Sequence, residues 1–261
     1  MVKPTLGGSS WALDRDASLA LNVGDAEQST SLGRADSLAH DLALRILRGE
    51  NQPDALLPSV RSLAEQHSMT PPTVQRALCT LHGMGLVRAT HGRGVEVQNP
   101  NSCCSPRLAP LRFEAVADDA DASVKLLERH LDMRLDLAGL LVARFDAAEA
   151  IRNFALPLAR VTTADTEVAR MEADLGLNDT AVQMVDNFLA GAALRCLEAV
   201  VREVPGVAVA LYGDGDMYTQ SMNEAVRGIA MGGDGGWHRA RAAVLRWHAH
   251  SIERYKHLMA L

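Results

Sequence analysis

The chain has 261 residues, 48% of them hydrophobic, and a net charge of −6, enough length for two ordinary cores and too acidic to coat nucleic acid by charge alone. It contains no apolar run of membrane-spanning length and no basic-then-apolar leader with a small-residue cleavage site, so neither a membrane span nor a secretion signal is expected. Its four cysteines form no CxxC pair, and Cys103 and Cys104 are adjacent, which suits neither a disulfide framework nor a zinc site and points to a reducing cytoplasm.

In chain order, residues 1–33 are rich in Gly, Ser, Asp and Ala without helical or strand period and read as a flexible arm. From Ala35 the pattern changes: Leu38, Leu42, Ile46 and Leu47 fall on one face of a helix that ends near Arg48 and Gly49. After a proline-containing connection, Ser59 is placed to cap a short helix through about Gln66, with Leu63 and Ala64 on its buried side. His67 and Ser68 make a turn, and Thr70 caps a second helix whose opening Pro71 and Pro72 are tolerated because first-turn amides have no intrahelical partner. Val74, Leu78 and Leu81 form its apolar face, leaving Thr73, Gln75 and Arg76 outward. Gly83 and Gly85 end the helix, and residues 86–90 and 95–97 alternate as two strands around a glycine-rich tip.

Helix, turn, helix and hairpin in this order make a winged helix-turn-helix over residues 34–98. This segment carries seven arginines against six acids, whereas residues 99–261 carry 17 Lys and Arg against 22 acids. A helix about 10–12 Å across fits the major groove, where outward N-terminal residues meet base edges and phosphates. The candidate DNA-contacting residues are Arg61, Thr70, Thr73, Gln75 and Arg76, together with His91, Gly92 and Arg93 at the wing tip. A lone arginine at a helix start is most often a solvated surface residue, and a glycine pair between strands is most often a turn. The order and lengths of the elements favour the functional reading.

Residues 99–110, with three prolines and small polar residues, read as a linker. Residues 111–261 are helical in pattern throughout, with breaks expected at Pro157, Leu175-Gly176, Pro205-Gly206 and the run Gly232 to Gly236. A mainly α protein results: an antiparallel bundle of about six helices behind the winged head. GDGD at Gly213 to Asp216 and GGDGG at Gly232 to Gly236 read as turns, not phosphate cradles. No Ser-His-Asp set and no paired histidines at metal spacing suggest catalysis.

The stretch Leu57 to Val97 resembles the GntR family of transcriptional regulators. The resemblance rests on Leu57, Pro58, Ser59, Arg61, Leu63 and Ala64, then Thr73, Val74, Ala77, Leu78 and Leu81. Gly85, Leu86, Val87, Gly92, Arg93, Gly94 and Val97 complete it. Where many members carry arginine, this chain has Pro71 and Gln75, and Arg76 is rotated by about 100° from that second position, so no operator sequence carries over.

A helical domain behind such a head is similar to the FadR subgroup, whose usual bundle implies a metal held by an Asp and three His. That pattern of Asp, two residues, Phe and His falls on Val185, Phe188 and Leu189, with Asp186 displaced. The next histidine position falls near Ser221 or Met222, and only His248, with His250 close by, matches a ligand. One imidazole does not make a site, so no metal and no cofactor are expected. Arg134, Arg144 and His248 are the candidates for binding an effector, an organic acid or acyl compound. Trp237 and Trp247 read as core anchors and not a ligand cage.

The resulting expectation is a cytoplasmic homodimer that binds a DNA operator and responds to a small-molecule effector through residues 111–261. The alternatives are a helical-bundle enzyme or an effector-independent constitutive repressor.

Overall fold

The computed structural model describes residues 23–90, 92–103, 105–144, 147–185 and 187–260. The first helix, α1 (Val23–Leu47), begins well before the expected boundary, so residues 23–33 are helical and not part of an irregular arm. The rest of that arm lies outside the described residues. Ala35, Leu38, Ala39, Leu42, Ala43 and Ile46 form the buried stripe of α1, one turn apart at helical spacing. Against it sit α2 (Val60–Gln66) and α3 (Pro71–Gly83), which supply Leu63, Ala64, Val74, Ala77, Leu78 and Leu81 to one core. The Ser59 hydroxyl accepts a bond from Ser62 N at 3.2 Å, closing the first turn of α2 as expected for an N-cap.

The wing pairs β1 (Val87–Thr90) with β2 (Gly94–Val97) in antiparallel register, Val87 opposite Val97 and Thr90 opposite Gly94. Leu57 N donates to Val95 O at 2.8 Å and Val97 N to Ala55 O at 2.9 Å, so the connection before α2 also lies along the wing. Leu86, Val87 and Val97 anchor the wing's base in the core of the winged head.

A 3-10 turn at Pro100–Ser102 leads to α4 (Leu108–Ala115), a helix that the expected linker did not include. Leu108 belongs to the core of the winged head, and Phe113, on the same helix, belongs to the core of the bundle. This short helix packs on α1 and on α8 (Phe188–Glu203). His40 Nε2 of α1 and Glu114 Oε1 of α4 lie 2.8 Å apart, a half-exposed contact across the same junction.

The bundle comprises α5 (Ala120–Val142), α6 (Ala147–Thr163), α7 (Glu167–Val185) and α8, then α9 (Pro205–Tyr212), α10 (Gly215–Met231) and α11 (Gly233–Met259). The mainly α architecture matches the expectation, but the breaks differ. Pro157 stands inside α6, where the Asn153 carbonyl that loses its partner belongs to an exposed residue. Gly176 stands inside α7, and the helix runs through Leu175-Gly176 without interruption. The helices instead end at Val142 for α5, Thr163 for α6 and Val185 for α7. Pro205-Gly206 does begin a new element, α9, because Pro205 takes a first-turn position. Asp214 in the GDGD turn caps α10 by accepting from Met217 N at 3.1 Å. Most of the GGDGG run forms the first turn of α11, with Gly232 at φ 67° making the corner.

The α10–α11 hairpin closes on glycines. A Cβ at Gly228 would lie 2.6 Å from Gly236 O and 2.7 Å from Ala240 N, which are backbone atoms that cannot step aside. Gly228→Val is therefore expected to force the hairpin apart and lower stability by about 1–3 kcal/mol in urea denaturation; an unchanged midpoint would contradict this packing.

Candidate nucleic-acid interface and bundle cavity

The exposed stripe of α3 runs along Pro71, Pro72, Gln75, Arg76, Cys79 and His82, opposite the buried stripe Val74, Ala77, Leu78 and Leu81. Gln75 and Arg76 thus face solvent as the sequence pattern requires. Thr73 does not: it is buried, and its hydroxyl lies 2.8 Å from that of Thr70, so the Thr70 side chain makes no cap bond to the helix. Thr73 consequently shapes the start of α3 from within, correcting its assignment as an outward group. Arg61 projects from α2 with Glu65 Oε1 3.1 Å from its Nε.

Gly92 and Arg93 are exposed at the wing tip, with Gly92 at φ 76° and Gly94 at φ 108°, a left-handed backbone that admits glycine at no steric cost. His91 lies outside the described residues. The turn between α2 and α3 passes through Ser68 at φ 50°, and Arg34 of α1 donates to Ser68 O at 2.5 Å and His67 O at 3.3 Å. Arg34 was not foreseen as a positioning residue, because nothing local to α1 shows where its guanidinium reaches.

In the bundle, a cavity of about 130 Å³ lies among α5, α6, α7, α8, α10 and α11. Its walls are mostly hydrocarbon, including Leu135, Leu141, Phe154, Leu177, Ile229 and Val244. One end is polar, with Arg134, Asp174, Asn178 and His248. Trp237 and Trp247 line the cavity as well, so their role goes beyond anchoring. Trp247 is nonetheless locked in the core: its indole N–H donates to Leu211 O at 2.8 Å and its ring sits 5.3 Å from that of Tyr218. Gly139 makes room for Trp237, since a Cβ there would meet the indole at 2.8 Å.

At the polar end, Arg134 Nη2 donates to Asp174 Oδ2 at 2.6 Å, and Tyr212 Oη donates to the same oxygen at 2.6 Å. Arg134 and Asp174 are each 8% exposed at the side chain. Burial works against the guanidinium charge, and Tyr212 and Asp174 outweigh it, holding Arg134 protonated. His248 lies in the same region, its pKa lowered to about 3 by burial first and by Arg134 second. His130, beneath the edge of the Phe113 ring at 6.2 Å, is lowered to about 3 by burial, Arg134 and His248 in that order. Arg134 Nη1, His248 Nδ1 and His130 Nε2 are buried without a hydrogen-bond partner among the described residues.

Of the three expected effector residues, Arg134 and His248 are brought together at the cavity, while Arg144 is exposed beyond the end of α5 and outside its lining. Of the positions that the resemblance assigns to metal ligands, Met222 and His248 line the cavity, whereas Phe188 is 78% and Leu189 75% exposed at the start of α8. The spacing of Asp, two residues, an apolar residue and a ligand recurs as Asp174, Leu177 and Asn178 on α7, all three lining the cavity. That signal was present in the chain but is hidden when asparagine replaces the imidazole. The donor set does not fit a metal: a guanidinium occupies Asp174 Oδ2, and among the described residues no three His, Cys, Asp or Glu converge.

A buried recognition-helix scaffold with an exposed N-terminal stripe and a two-stranded wing defines a winged helix-turn-helix DNA-binding transcriptional regulator. Residues 34–97 match the family described as bacterial regulatory proteins, gntR family. Over 215 residues, 82% of this chain and 87% of the relative, the protein is 27% identical to an uncharacterized HTH-type transcriptional regulator of Mycobacterium tuberculosis. It is 41% identical over 63 residues, 24% of this chain and 26% of the relative, to the HTH-type transcriptional repressor NagR of Bacillus subtilis. Among solved structures, Lar, which controls expression of the Listeria monocytogenes agr system, aligns with a TM-score of 0.49 at 15% identity, covering 85% of this chain and 97% of that one.

The two neutral histidines link stability to pH. Their ordinary value is 6.5 and their folded value about 3, so the unfolded chain takes up protons that the folded chain refuses. The stability they contribute is complete above about pH 6.5 and is lost as pH falls toward 3. Between pH 7 and 5.5 the loss is expected to be about 2–3 kcal/mol for the pair in urea denaturation. A His130→Gln/His248→Gln variant is expected to lose most of that slope; an equal slope in both proteins would contradict the assignment.

Proposed function

We propose that the protein is a dimeric, effector-responsive regulator of the FadR subgroup, in which a small molecule held in the bundle cavity controls how two winged heads engage an operator. The observation that carries this reading is the cavity itself, apolar with one polar end, inside a helical domain joined to a DNA-binding head by a helix shared between both cores. Leu108 and Phe113 make α4 a lever: a shift of α5 at the cavity reaches His130, then Phe113, then α1. A ligand shifts head geometry only by the difference in its affinity for two arrangements, so the lever must have two positions. The exposed apolar side chains Leu140, Phe188 and Leu189 support a second copy, because a solitary bundle leaves them in water. Two copies related by a twofold axis would read a symmetric pair of half-sites.

At the DNA, Arg61, Arg76 and Arg93 supply charge, and Thr70 and Gln75 hydrogen-bonding groups. Gly92 permits close approach of the wing. The exposed Gln75 carries an amide, a group that can bond an adenine edge in two places. The bundle-enzyme alternative finds no support in relatives named as regulators. The constitutive-repressor alternative is disfavoured by the cavity, which a bundle without a ligand has no reason to keep open.

Retardation of DNA fragments from the region upstream of its own gene, at low salt, is expected for the purified protein. Arg76→Ala and Arg93→Ala are each expected to weaken binding several-fold and, where the side chain meets a phosphate, to reduce the salt slope by about 1. Binding unchanged in both variants would remove α3 and the wing from the interface.

A further inference from the structure

The geometry points to an uncharged, mainly apolar ligand carrying one hydrogen-bond-accepting oxygen, such as a small amide, ketone, ester or lactone, and not an organic acid. This inference rests on the reading of the bundle cavity as the effector site and names what it takes.

Size sets the first limit. The cavity of about 130 Å³ is close to the roughly 150 Å³ that holds a benzene ring in an engineered protein core, so the part of a ligand that it encloses has about six to ten non-hydrogen atoms. The lining sets the second: one polar end and otherwise hydrocarbon walls suit a molecule with a single polar head.

Charge sets the third. Among the described residues Arg134 is the only Lys or Arg lining the cavity, and its charge is already matched by Asp174, with Tyr212 hydrogen-bonded to the same carboxylate oxygen. A ligand carboxylate brought to this end would meet one guanidinium and a second carboxylate, leaving the buried site with net negative charge and the ligand stripped of water. Both histidines nearby stay neutral and supply no compensating charge. A cationic head fares no better, because it would face Arg134 while Asp174 is already occupied. A carbonyl oxygen brings no such conflict. It is the partner that Arg134 Nη1 lacks, and a neutral His248 offers a further ring nitrogen without a partner in the same region.

The test uses matched probes that differ in charge and little in shape: benzamide against benzoate, and hexanamide against hexanoate. Binding to the full chain at pH 7.5 is read by fluorescence of Trp237 and Trp247, which line the cavity, and by calorimetry. Each amide is expected to bind at least about 10-fold more tightly than its carboxylate. Ala138→Leu and Ala181→Leu, which add bulk at two different walls, are each expected to abolish amide binding while the variants remain folded by circular dichroism. Two variants on different helices guard against one of them misfolding. Carboxylates binding as tightly as their amides would overturn the charge argument. No binding by any probe, or amide binding that survives both substitutions, would overturn the assignment of this cavity. Retardation of DNA by the ligand-free protein is measured beside these titrations, so a failed probe series is distinguishable from a failed DNA-binding reading, and amide binding without any change in retardation would indict the sensing role alone.

Discussion

The buried pair of Arg134 and Asp174, completed by the Tyr212 hydroxyl, is the constraint on which the bundle depends. It ties α5 to α7 and α9 at the centre of the helical domain, where both charged groups are almost wholly removed from water. Such a pair is weak evidence for stability in itself, because desolvation opposes the attraction, yet each member makes the other tolerable. Everything around it follows that logic. His130 and His248 are kept neutral by burial next to a fixed cation, Tyr218 is pushed up in pKa by burial and by Asp174, and Trp247 and the two tyrosines pack as a wall beside the pair.

The same pair sets the chemistry of the cavity's polar end. A carboxylate engaged by guanidinium and phenol is not a metal ligand, and the asparagine four residues further along α7 is a poor substitute for an imidazole. Where the resemblance implies a metal supplying positive charge opposite an organic acid, this chain has placed a covalently fixed cation and matched it internally. The electrostatics of the site are closed before any ligand arrives. The bundle meets the winged head through packing: Phe113 of α4 lies against His130, and the same helix buries Leu108 in the other core.

The winged head was legible because its signals are local. Caps, a proline at a first turn, a buried stripe at helical spacing and a glycine tip each act over a few residues, and Ser59, Pro71 and Gly94 stand where such rules put them. Thr73 escaped because a hydroxyl was taken as outward by residue type, while helical geometry places it beside Val74 and Ala77 on the inner side. In the bundle, Pro157 and Gly176 were weighed as breakers by propensity, and tertiary packing on one side with solvent on the other overrode them. Arg134 was recognisable as a ligand candidate by its chemistry and His248 by its match to a ligand position of the resembling subgroup. The bonds from Arg134 and Tyr212 to Asp174 were not legible, because they join residues 40 and 38 positions apart and no periodicity reports them. Arg144 resembled Arg134 in sequence and differs only in where α5 ends.

A double-mutant cycle across Arg134 and Asp174 tests this account most directly, with Arg134→Met, Asp174→Leu and the two combined, each followed by urea denaturation at pH 7.5. Either single change is expected to cost about 3–5 kcal/mol by leaving one buried charge unmatched, and the double variant to cost clearly less than their sum, with a coupling of about 2 kcal/mol or more. Single costs that simply add would show that the pair does not organise the core.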